Sequence, residues 1–178
     1  ILLTLSTMAW AALSAAPYVP LFKKDIRRML KLAGVNSSDT VYDLGSGDGR
    51  ILVIAAKEFN AEKCIGFEIS FLPYIYSKIK IFLLGLNKRA CTTPFRAKRG
   101  IGAVDIIPKN FYNQDIKSAT VITCFLTPKA MKKLSPKFQH ELKPGTRVVS
   151  YAFSIPNLKP VKKDKPDSKS TAIYLYHF

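Results

Sequence analysis

Acidic residues are scarce in this chain. Twelve Asp and Glu stand against 28 Lys and Arg among 178 residues, a formal net charge of +16 at pH 7. A surface this basic attracts an anionic partner: nucleic acid, acidic lipid or an acidic protein. Histidine occurs only twice, at His140 and His177, far apart in sequence, which argues against a His-based metal site. Cysteine occurs three times (Cys64, Cys91, Cys124), with no C-x-x-C pair. That excludes a disulfide framework and a zinc knuckle, and no metal is expected. What the chain does have is apolar surface to bury. With 48% hydrophobic and 11% aromatic residues it is neither disordered nor collagen-like. Its length suits one domain whose core needs no covalent staple.

Charge is also missing locally, because residues 1–22 carry none. The apolar run 1–16 is shorter than the ~20 residues that span a bilayer. The chain opens on Ile1 rather than Met, so upstream residues are expected to complete the run. Trp10 and Tyr18 suit an interface, and Lys23, Lys24, Arg27 and Arg28 follow as the positive-inside rule requires. A membrane anchor with the remainder on the cytoplasmic side is the favoured expectation. The alternatives are a cleavable signal peptide, with Leu13-Ser14-Ala15 as its small-x-small site, and a buried helix on a soluble cytoplasmic protein. The chain then divides into an apolar segment, 1–16, and a folded domain, 17–178.

The domain alternates strand and helix patterns. Helical spacing predicts helices over 22–33, 50–59, 72–84 and 129–142; the third is heavily apolar. Short apolar runs predict strands over 40–44, 64–69, 104–107, 119–126, 147–153 and 171–176. This order implies an α/β, Rossmann-like fold: a mostly parallel sheet with helices on both faces. Two segments read as surface loops. Residues 87–102 carry Lys88, Arg89, Arg96, Lys98 and Arg99 and no acid, while 159–169 is rich in Lys and Pro.

The first strand-to-helix turn reads Asp43-Leu44-Gly45-Ser46-Gly47-Asp48-Gly49-Arg50. Three glycines allow a tight turn and close approach to a ligand, at the strand ends where open α/β sheets bind ligands. The spacing G-x-G-x-G is neither that of a dinucleotide site nor that of a P-loop. Asp43, two residues before the first glycine, repels phosphate and welcomes a cationic ligand. Glu68, at the end of the next strand, suits the two hydroxyls of a ribose.

These residues resemble motif I and its acidic follower in class I S-adenosylmethionine-dependent methyltransferases, whose seven-stranded sheet has the order 3-2-1-4-5-7-6 with the last strand antiparallel. Pro17-Tyr18-Val19-Pro20, Asn110-Phe111, Phe125-Leu126-Thr127-Pro128 and Leu142-Lys143-Pro144-Gly145-Thr146-Arg147-Val148-Val149-Ser150 narrow the resemblance. They are similar to a small protein-lysine methyltransferase family with archaeal and mitochondrial members. The mitochondrial members act on the c-ring protein of the ATP synthase and the adenine nucleotide translocator, and have an apolar segment before the domain. The resemblance covers 17–178 and implies S-adenosyl-L-methionine as cofactor. Its site would be Asp43, Gly45, Ser46, Gly47, Asp48, Gly49 and Glu68, with Asn110 and Phe111 beside the adenine. The chain departs from the family in its longer, basic 87–102 stretch, in Lys109 where glycine is common, and in a short tail in which strand six has no evident place.

Transfer of an activated methyl group asks mainly for alignment. A lysine acceptor must arrive neutral, and desolvation near a cation lowers its pKa. No general base is assigned. Tyr18 and Phe125 are the expected substrate-channel residues. Phe125-Leu126-Thr127-Pro128 lacks the side-chain acceptor that holds a flipped base, which counts against nucleobase amines. The reading is therefore a monomeric protein-lysine N-methyltransferase acting on a protein partner at an anionic membrane surface. RNA or DNA methylation, motivated by the charge, and small-molecule methylation at the membrane are its rivals.

Overall fold

In a computed structural model, residues 19–87 and 102–178 are described. The apolar segment 1–16, Tyr18 and nearly all of the basic 87–102 stretch lie outside the described residues. Helix α1 (Lys23–Leu32) precedes strand β1 (Thr40–Leu44), α2 (Arg50–Glu58), β2 (Lys63–Phe67) and α3 (Phe71–Leu83). Then come β3 (Ala103–Ile107), a 3-10 turn (Phe111–Asn113), β4 (Val121–Cys124) and α4 (Pro128–Glu141). Strands β5 (Arg147–Tyr151), β6 (Lys162–Asp164) and β7 (Ile173–His177) close the chain.

The seven strands form one sheet in the order β3-β2-β1-β4-β5-β7-β6. β1 through β5 pair in parallel, and β7 is antiparallel to both β5 and β6. The expected α/β architecture and strand order are both present. Two apolar clusters cover the two faces of the sheet. Ile26, Met29 and Leu30 of α1 join Leu52, Ala55 and Ala56 of α2 on one face. Met131, Leu134 and Phe138 of α4 pack on the other, against Leu44, Ile122 and Val148. Burying these branched side chains from both sides is what selects continuous apolar strands over alternating ones.

Several expected boundaries shift for physical reasons. β2 ends at Phe67, so Glu68 is the first residue beyond the strand; its N–H donates to the Ile107 carbonyl at 3.1 Å. β4 covers only Val121–Cys124 of the apolar run 119–126. Ala119 sits in a turn closed on the Ile116 carbonyl, and Leu126 follows the strand into a cleft. The Lys- and Pro-rich stretch 159–169 is not wholly loop, because Lys162–Asp164 forms the edge strand β6. Two lysines on an edge strand discourage pairing with another chain.

Candidate functional site

A cleft of about 830 Å³, open to solvent, lies at the carboxyl ends of β1, β2 and β4. The turn between β1 and α2 forms its floor. The Gly45 and Ser46 N–H groups both donate to the Phe67 carbonyl at 3.0 Å, which stitches the turn to the end of β2. Gly45 and Gly47 have φ of 84° and 52°, in the left-handed region open to glycine. Gly66 matters for a different reason: a Cβ there would fall 2.5 Å from Ser46 Oγ and 2.6 Å from Ile106 Cδ1. The turn can therefore lie flat on β2 only over a glycine.

Ionisable groups set the electrostatics. Glu68 accepts the Gly47 N–H on one carboxylate oxygen at 2.8 Å and the Ser70 N–H on the other at 2.6 Å. It thereby ties the turn to the start of α3. Asp48 is buried, which alone would raise its pKa, but hydrogen bonds from Arg50 and Lys80 hold it below the usual carboxylate range. Arg50 also donates from Nη1 to the Leu21 carbonyl, fastening the chain ahead of α1 to the same turn. Asp43 differs from the others. Burial pushes its pKa up to about 7, the Thr123 hydroxyl opposes that, and the Glu68 and Asp48 carboxylates add to it. Thr123 donates to Asp43 Oδ1 at 2.7 Å, whereas Oδ2 is buried with no hydrogen-bond partner among the described residues.

The cleft brings together nine expected site residues: Asp43, Gly45, Ser46, Gly47, Asp48, Glu68, Asn110, Phe111 and Phe125. Gly49 is not one of its lining residues. At φ 72° it caps α2, and a Cβ there would meet Ile106, Ser77 and Ile81. Asn110 caps the 3-10 turn by accepting the Tyr112 N–H at 3.0 Å, which sets Phe111 and Tyr112 side by side with ring centroids 4.5 Å apart. Phe125 meets the Tyr151 ring edge-on at 5.0 Å. Val19, Pro20 and Leu21 form the opposite rim. Sequence reading missed several lining residues, among them Tyr112, next to Phe111, and Ile69 and Ser70, the two residues after Glu68.

One wall is thus polar and the other apolar, and among the described residues no donor reaches the buried Asp43 Oδ2. Among the described residues no group of three or more His, Cys, Asp or Glu could hold a metal ion. An ammonium group suits Asp43 Oδ2, because a donor carrying positive charge supplies both the hydrogen bond and the charge that the buried carboxylate lacks. The amino group of S-adenosylmethionine meets that requirement.

Comparison with known proteins agrees. The family model of the ANTKMT methyltransferase domain matches residues 43–162. A protein-lysine N-methyltransferase of Saccharolobus islandicus (strain REY15A) is 43% identical over 90% of this chain and 92% of its own length. The adenine nucleotide translocase lysine N-methyltransferase of Mus musculus is 29% identical over 82% of this chain, which spans only 56% of that relative. A crystal structure of an RNA methyltransferase from Salinibacter ruber in complex with S-adenosyl-L-homocysteine is 33% identical, with a TM-score of 0.74. That match covers 89% of this chain and 93% of the other. The chain belongs to the ANTKMT methyltransferase domain family and is an S-adenosylmethionine-dependent methyltransferase.

Proposed function

We propose that this enzyme methylates the ε-amino group of lysine in a protein partner at a membrane. The observation that carries this reading is the 43% identity to an archaeal protein-lysine N-methyltransferase across nearly the whole chain. When bound, S-adenosylmethionine supplies an activated methyl group on a sulfonium. Asp43 Oδ2 would accept from its amino group, Gly45 and Gly47 would let the main chain approach closely, and Glu68 would face the ribose hydroxyls. Asn110 and Phe111 would border the adenine.

The apolar rim serves the acceptor. Val19, Pro20, Leu21 and Phe125 line the cleft with apolar surface, and a lysine entering between them would lose part of its hydration. Desolvation lowers its pKa from about 10.4, so the neutral nucleophile forms without a dedicated base. Asp48 and Glu68 are already committed to Arg50, Lys80 and main-chain amides. After transfer the lysine sheds its proton to water.

The Salinibacter ruber structure, described as an RNA methyltransferase, supports a second reading. Phe125 and Leu126 weigh against it here, since this end of β4 offers the cleft apolar side chains where a nucleobase amine needs an acceptor. The membrane part of the proposal rests on the uncharged run 1–16 and the basic cluster 23–28. Among the described residues no helix is long and apolar enough to cross a membrane. The test is incubation with labelled S-adenosylmethionine and a membrane extract, followed by separate protease and nuclease digestion. Label released by protease alone is expected; label released by nuclease alone favours the RNA reading.

A further inference from the structure

Helix α3 is apolar on both sides. Pro73, Ser77 and Ile81 face inward and are buried. Leu72, Ile75, Tyr76, Ile79, Phe82 and Leu83 are exposed, Phe82 at 68% and Leu83 at 76%. At about 100° per residue these six fall within one arc of roughly 120° on the outer side. A helix apolar all round normally has both faces covered, and six large side chains on one arc exceed the scattered exposure ordinary for a monomer.

The surrounding charge indicates what covers this face. α3 contains no acidic residue. Its two lysines flank the apolar arc, Lys78 pairing with Asp105 and Lys80 with Asp48, each at 3.1 Å. The chain as a whole carries a net charge of +16. An apolar arc on so basic a protein matches a bilayer interface, where acyl chains take the side chains and anionic headgroups take the excess charge. Nucleic acid would use the cations but not the arc.

We propose that the outer face of α3 docks this enzyme on an anionic lipid bilayer. The inference deepens the lysine-methylation reading and rests on it for its biological purpose. Ile69 and Ser70, immediately before α3, line the cleft. A helix lying in the interface therefore holds the cleft mouth at the membrane surface, within reach of lysines just outside the hydrocarbon.

Flotation of the full chain with phosphatidylglycerol–phosphatidylcholine vesicles tests the docking, with pure phosphatidylcholine vesicles as reference. Ile79→Glu/Phe82→Glu changes only exposed side chains and leaves residues 1–18 intact. The wild type should float with the anionic vesicles, and the double variant should lose roughly ten-fold or more in partitioning. Leu72→Ser/Leu83→Ser, a milder pair, should show a smaller loss in the same direction and serves if the first variant does not fold. Unchanged partitioning of a folded variant overturns the proposal. A lipid-free dimer that the variant converts to monomer also overturns it, in favour of a second copy on this face. Lysine methylation of detergent-solubilised membrane protein does not need the docking face. Its absence in the wild type refutes the reaction alone, and vesicle binding decides the docking.

Discussion

Asp43 and Thr123 are register partners across the β1–β4 seam, and the Thr123 hydroxyl donates to only one oxygen of the Asp43 carboxylate. The other oxygen is buried and unpaired among the described residues, and in the proposed site it would accept from the amino group of the cofactor. Replacing Asp43 by Asn keeps the size of the side chain and removes the charge. Calorimetry should show S-adenosylmethionine affinity falling by about 1.5–3 kcal/mol, roughly ten- to hundred-fold. Asp43→Ala should abolish measurable binding, and wild-type affinity in either variant would refute the site.

Binding should also depend on pH. With its pKa near 7, Asp43 is partly protonated at neutral pH and must ionise to receive an ammonium group. Affinity should rise as pH climbs through about 7, with a proton released on binding that appears as a buffer-dependent calorimetric enthalpy. The ligand-free fold shows the opposite trend. The native state keeps this proton up to about 7 while the unfolded chain gives it up near the ordinary value of 3.8, so this group's contribution to stability declines between those values as pH rises. Urea titrations of Asp43→Asn should lack that component.

Glu68 holds two main-chain amides, so its removal should loosen the turn before it affects the ligand. In Glu68→Ala, the Gly47 and Ser70 amides should exchange with deuterium faster, and stability should drop by about 1.5–3 kcal/mol. Slow exchange at both amides in the variant would remove Glu68 from this role.

Gly66→Ala sets a methyl group against Ser46 and Ile106 on closely packed neighbours. Overpacking of this kind costs about 1–3 kcal/mol. A lowered melting temperature is expected, together with weaker cofactor binding, because the displaced residue is Ser46 in the turn itself. An unchanged melting temperature would mean that the turn shifts freely.

A lysine acceptor makes its own prediction for the pH profile. Because the nucleophile must be neutral, kcat/KM should rise from neutral to alkaline pH for as long as the fold persists. A profile flat over that range would point to an acceptor without an ionisable amine.

The turn and its flanks were legible because every signal there is local: apolar strand, G-x-G-x-G, helical period. Glu68 was found as the acid at the end of the second expected strand, although it stands just past β2 and its two amide partners needed coordinates. β6 was not legible. Lys162–Asp164 is three exposed or half-buried polar residues, paired to β7 and tied to Arg28 of α1 through Asp164, with no apolar alternation to mark a strand. The ends of β4 were blurred because Ala119 and Leu126 are apolar for the sake of a turn and the cleft, not the ladder. The apolar content of α3 was plain in the sequence, but that half of it faces outward was not, since an all-round apolar pattern does not say which face is covered.

The central claim is the acceptor, and mass spectrometry of reaction products reads it directly. After incubation with S-adenosylmethionine and membrane protein, peptides should carry added methyl groups on lysine side chains, and an Asp43→Ala control should lack them. Methyl groups recovered only on nucleic acid, lipid or small molecules would contradict the account.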